Sequence, residues 1–102
     1  MLLPTLALLT TSLAALSSAT VFHNNFGHDG WLQDNQGTEV YVKDKNHATI
    51  GGGWGFFWID EKVCHQNAAT FEWPSYYGDV YLKNDGRLYD AGGGQISGVK
   101  LC

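Results

Sequence analysis

The residues that could do acid–base chemistry against phosphate in this chain are chiefly four histidines, ten carboxylates and a single arginine, Arg87. A ribonuclease-like hydrolase needs a general base, a general acid and a cation that opposes phosphate charge. Glu39 or Glu72, with His47 or His65 and Arg87, supply those residue types. A two-carboxylate glycosidase could draw on the acids, but it needs a deep cleft that a small domain rarely holds. Neither set falls in motif spacing. Ser75 and Ser97 lack the Gly-x-Ser-x-Gly context of a nucleophile elbow. The runs Gly51-Gly52-Gly53 and Gly92-Gly93-Gly94 are not followed by the Lys-Ser/Thr of a phosphate loop, and they read as turns. His23 and His28 flank Asn24-Asn25-Phe26-Gly27 with Asp29 next, which is the composition of a polar turn. No Cys-x-x-Cys or His-Glu-x-x-His spacing occurs. The sequence therefore assigns no catalytic residue, no metal and no cofactor, and it favours a protein that is not an enzyme.

The aromatic residues are better candidates. Four tryptophans, five tyrosines and five phenylalanines lie in the chain, all after residue 20. Buried rings would fill the core of a small β protein, each covering about 150–250 Å². Some rings sit where a core does not need them. In Trp54-Gly55-Phe56-Phe57-Trp58 side chains must alternate between faces. If Phe56 and Trp58 face the core with Trp54, Phe57 points the other way and is covered by a second layer or exposed. Trp73-Pro74-Ser75-Tyr76-Tyr77 is a proline-broken loop that carries three rings, and Trp31 follows the turn residue Gly30. Rings on loops offer large, rigid contact area to a protein or a sugar. The candidate binding residues are therefore Trp31, Phe57, Trp73, Tyr76 and Tyr77, weighed against the reading in which these rings cap the core.

Other features fix where such a surface would work. Met1 to Ala19 has no charged side chain, an apolar stretch from Leu6 to Leu16, and small residues at both recognition positions of a cleavage site, Ser17 and Ala19. That pattern predicts a secretory signal peptide over 1–19, cut before Thr20. The mature chain, 20–102, would be a single extracellular domain and is expected to be a monomer. All charged residues lie in it, and the net charge is −4. An acidic surface with one arginine argues against nucleic acid and against an anionic membrane as partners. No Asn-x-Ser/Thr sequon follows the leader. Two cysteines, Cys64 and Cys102, predict one intramolecular disulfide in an oxidising compartment. Closing a loop of this length should stabilise by about 4 kcal/mol, and at this size a core alone gives only a few kcal/mol.

The elements that would position the rings are strands. No window has sustained helical apolar spacing. Residues 39–43 and 79–83 are rich in β-formers and bounded by turn residues. Trp54 to Ile59 is nearly continuously apolar, as in a strand buried on both faces. Thr70 to Trp73 alternates and stops at Pro74, and Gln95 to Leu101 alternates again. The fold class is all-β, a small antiparallel sandwich or barrel with one disulfide. The pattern of an acidic residue, Val, Tyr, an aliphatic and Lys occurs at 39–43 and at 79–83, with a triple glycine after each copy. That is an internal repeat of about forty residues. It suggests two Greek-key motifs.

With that period, the ending Gly94-Gln95-Ile96-Ser97-Gly98-Val99-Lys100 and the opening Phe22-His23-Asn24-Asn25-Phe26-Gly27 resemble the βγ-crystallin family. The resemblance implies a domain of paired Greek keys. Gly93 and Gly94 stand where calcium-binding members carry acidic or amide residues, so the resemblance brings no calcium site. As a whole the chain resembles the small secreted effector proteins of filamentous fungi, which act on a host. The resemblance implies a secreted, non-catalytic protein with a role in virulence that binds an extracellular or host protein through an aromatic-rich surface. The alternatives carried forward are a cell-wall glycan-binding protein and a small ribonuclease-like hydrolase.

Overall fold

Alternation with a period of two, rather than ring density, decides which side chains this chain buries. The computed structural model describes residues 19–102, and of the expected leader only Ala19 lies among them. Eight strands follow in order: β1 Ala19–Asn24, β2 Gly30–Gln33, β3 Glu39–Val42, β4 His47–Gly51, β5 Trp54–Ile59, β6 Ala68–Glu72, β7 Asp79–Leu82 and β8 Leu88–Asp90. They form two four-stranded sheets, ordered β4-β1-β7-β8 and β3-β2-β5-β6. All pairings are antiparallel except β1 with β7. Each sheet has two open edges, so the domain is a sandwich and not a closed barrel.

Both sheets present an inner face of alternate residues. Phe22, Ile50, Val80, Leu82 and Leu88 come from the first sheet, and Leu32, Val42, Phe57, Ile59, Ala69 and Phe71 from the second. The Phe22 and Phe57 rings stack between the sheets with centroids 5.6 Å apart. Gly30 on β2 makes this close packing possible, because a Cβ there would overlap the Phe57 ring. Two buried polar side chains are fully used. Asn24 donates to the carbonyls of His28 and Val42 and accepts from the Phe26 amide, tying β1 to β3 of the other sheet. Thr20 donates to the Tyr77 carbonyl and accepts from the Trp73 indole.

The segment 95–101 differs from the expected strand. Gln95 forms only an isolated bridge to Tyr89, and no strand follows. The tail is held instead by single anchors. Leu101 is fully buried, and its amide donates to the Gly86 carbonyl. The Cys102 amide donates to Gln66, beside the disulfide to Cys64, whose Cα atoms are 5.6 Å apart. Gly86 has φ of 79°, and a Cβ there would strike the Leu101 carbonyl, so this turn accepts the tail only as glycine. The two copies of the forty-residue pattern do not occupy equivalent places. The first is β3, at an edge of one sheet, and the second is β7, inside the other.

Candidate functional site

The outer face of the β3-β2-β5-β6 sheet gathers the aromatic residues that the core leaves out. Register places Tyr41, Trp31, Trp58 and Ala68 directly opposite one another across the four strands. The Trp31 centroid lies 5.1 Å from Tyr41 and 6.2 Å from Trp58, and Phe56 lies 5.3 Å from Trp58. The next row reads Glu39, Gln33, Phe56 and Thr70, so polar side chains flank the rings. Strands are about 4.8 Å apart, less than the width of an indole. Rings on opposed positions therefore cannot lie flat side by side. Trp31 and Trp58 lie with their planes 15° apart in an offset stack. The result is a continuous apolar ridge across three strands.

The ridge is fixed at its edge. Tyr41, 48% exposed, donates its hydroxyl to Asp29 at 2.9 Å, and the other Asp29 oxygen accepts the Asp44 amide at 2.8 Å. The Asp44 amide, and after it the Tyr41 hydroxyl, hold the Asp29 carboxyl below the usual aspartate range. The same bond to Asp29 raises the Tyr41 phenol. Asp29 contributes to stability above the unfolded aspartate value of about 3.9, and the contribution is lost as pH falls through the folded value. The Tyr41 contribution is present below about pH 10 and is lost as pH rises through its folded value. Replacing Tyr41 with Phe should move the Asp29 pKa up toward the ordinary value, without reaching it while the Asp44 amide still donates. Carboxyl carbon shifts followed against pH measure this, and an unmoved Asp29 would show that the hydroxyl does not hold it.

The structure distributes the expected site residues over three places. Trp31 lies half-buried within β2, not on a loop, at the centre of the ridge. Phe57 and Trp73 are corrections. Phe57 is fully buried and Trp73 nearly so, and neither can meet a partner. The reason is Gly55. The inward face of β5 carries Gly55, Phe57 and Ile59, and the Trp73 indole fills the space that Gly55 leaves, where a Cβ would lie 3.1 Å from the ring. Trp54, Phe56 and Trp58 therefore face outward, the reverse of the expected orientation, and β5 is fully buried on one face only. Tyr76 stands on the loop after Pro74 and is 80% exposed, whereas Tyr77 is half-buried and packs against the core. Tyr41, Phe56 and Trp58, which complete the ridge, are not among the candidates the sequence singles out. Tyr41 was legible as the outward member of an alternating strand, but the opposition of Trp58 to Trp31 is a register fact between distant strands.

On the other sheet, the outer face holds His23, stacked on Tyr81 at 4.2 Å and bonded to Asp79 at 2.9 Å. His47 is opposite His23 on β4. Glu39 and Glu72 lie on opposite edge strands of one sheet, His47 on an edge of the other, and Arg87 in the β7–β8 turn. These candidates for acid, base and cation thus start from separate elements. Comparison with known proteins finds no matching family model, no matching curated protein and no matching solved structure.

Proposed function

We propose that this is a secreted, non-catalytic binding protein of effector type, which docks an extracellular or host protein on the outer face of the β3-β2-β5-β6 sheet. The observation that carries the reading is the ridge Tyr41–Trp31–Trp58–Phe56. Aromatic side chains dominate binding energy at protein interfaces, and a half-exposed ring on a rigid sheet loses little freedom on contact. A glycan stacks best on a flat, exposed ring, but Trp31, Phe56 and Trp58 are half-buried and pack against one another. Gln33, Glu39 and Thr70 beside the ridge suit the polar rim of a protein interface. The disulfide Cys64–Cys102 is compatible with an oxidising compartment, and no helix of the described residues is long and apolar enough to cross a membrane.

The double variant Trp31→Ala/Trp58→Ala tests the reading. Both residues lie on the outer face, so the variant should remain folded. Its affinity for the partner should fall by about 100-fold or more, the loss expected for a pair of interface hot spots. The partner is taken by cross-linking from host extracellular protein, purified, and titrated against both forms. A variant that binds as well as the native chain overturns the assignment of the face. A native chain that binds arrayed glycans and no protein replaces this reading with the glycan one.

A further inference from the structure

We propose a second site, separate from the ridge: a notch between the 74–78 loop and the 90–92 turn that takes a cationic side chain, the ammonium of lysine or the guanidinium of arginine. The notch has a volume of about 390 Å³ and is lined by Tyr76, Tyr77, Gly78, Asp79, Asp90 and neighbouring turn residues. Its size falls in the range of small-ligand sites. Register pairs Val80 with Asp90, which sets Asp79 and Asp90 at the same end of the β7–β8 hairpin. Each carboxylate spends one oxygen on the protein. Asp90 Oδ1 accepts the Gly92 and Gly94 amides, and Asp79 Oδ1 meets His23 Nε2. The second oxygen of each has no hydrogen-bond partner among the described residues. No lysine or arginine lines the notch. Lys83 lies past the far end of β7 with its ammonium over the Tyr89 ring.

The aromatic wall completes the chemistry. Tyr76 is 80% exposed and is propped edge-on by Tyr77 at 5.3 Å. It is the most exposed large ring in the described domain. A ring face beside two carboxylates attracts a cation twice, by the ring quadrupole and by charge. A neutral sugar would gain only the stacking, and an anion would be repelled.

Titrations followed by amide NMR test this on the whole mature protein. N-acetyl-arginine amide and N-acetyl-lysine amide should produce saturable shifts at Tyr76, Tyr77 and residues 90–92, with dissociation constants on the order of millimolar. Binding should weaken several-fold in about 0.5 M salt. N-acetyl-citrulline amide, which has the shape of arginine without its charge, and methyl glucoside should give no saturable shift there. Tyr76→Ala and Asp90→Asn should each weaken cation binding by about tenfold. Asp90→Asn keeps an oxygen for the Gly92 and Gly94 amides, so its turn should persist, and unchanged shifts elsewhere verify that. Trp31→Ala/Trp58→Ala should bind the cations normally, which separates this site from the ridge. Equal shifts with citrulline or glucoside, shifts that do not saturate or do not localise, or full binding by both notch variants overturns the proposal.

Discussion

Replacing Cys64 and Cys102 together with serine should lower the melting temperature by well over ten degrees. The bond joins residues separated by 38 positions and ties the last residue of the chain to the β5–β6 loop. In the chain-entropy account, a loop of this length restricts the unfolded chain by about 4 kcal/mol. At roughly 4–8 °C per kcal/mol for a domain of this size, the shift exceeds ten degrees. The folded state adds a second loss. Leu101 is fully buried next to the cystine, and its amide bonds to Gly86. The Cys102 amide bonds to Gln66. Without the bond these are a few anchors on an otherwise strandless tail, and their removal takes Leu101 out of the core. A double serine variant that melts with the native protein, read by circular dichroism, would show that the tail anchors hold without the bond.

The sequence carried the class of the fold more clearly than its faces. Strands at 39–42, 54–59 and 79–82 follow from β-formers bounded by turn residues, while the strand expected at 70–73 before Pro74 runs over 68–72 and leaves Trp73 outside it. The disulfide followed from the count of cysteines. The orientation of β5 did not follow, because counting apolar bulk puts three rings, Trp54, Phe56 and Trp58, on one face against Gly55, Phe57 and Ile59 on the other. The larger face looks like the core face. The chain fills its core differently, with a glycine that admits a tryptophan from just past β6, and Trp73 lies eighteen residues beyond Gly55, too far along the chain for periodicity to reveal the exchange. The same limit applies to the ridge. Trp31, Tyr41 and Trp58 meet only because β2 pairs with both β3 and β5. The alternation of Ile96, Val99 and Leu101 misled in the other direction. Only Leu101 is fully buried, and the chain there follows anchors to the cystine instead of a partner strand.

Phe57→Ala should therefore be far more damaging than Phe56→Ala, although the two residues are adjacent and identical. Phe57 is fully buried, stacks on Phe22 of the opposite sheet, and lies under Gly30 where no other side chain fits. Emptying that position removes the ring that joins both sheets and leaves a cavity that Gly30 cannot fill. The cost is about 3–5 kcal/mol, enough to leave a domain of this size partly unfolded at room temperature. Phe56 sits on the outer face, half-buried beside Trp58 and flanked by Gln33 and Thr70 on the neighbouring strands. Its loss forfeits partial burial and one ring contact, an effect of about 1 kcal/mol. Thermal melts of the two variants separate by more than ten degrees if β5 is oriented as described. Equal melts, or a more stable Phe57→Ala, would mean that the strand presents its other face to the core. Phe56→Ala also shortens the ridge without disturbing the fold, so any binding it loses belongs to the outer face. Division of labour along one strand follows from this geometry: Phe57 and Ile59 hold the sheets together, while Phe56 and Trp58, one residue out of phase, form the outer face on which the proposed binding reading rests.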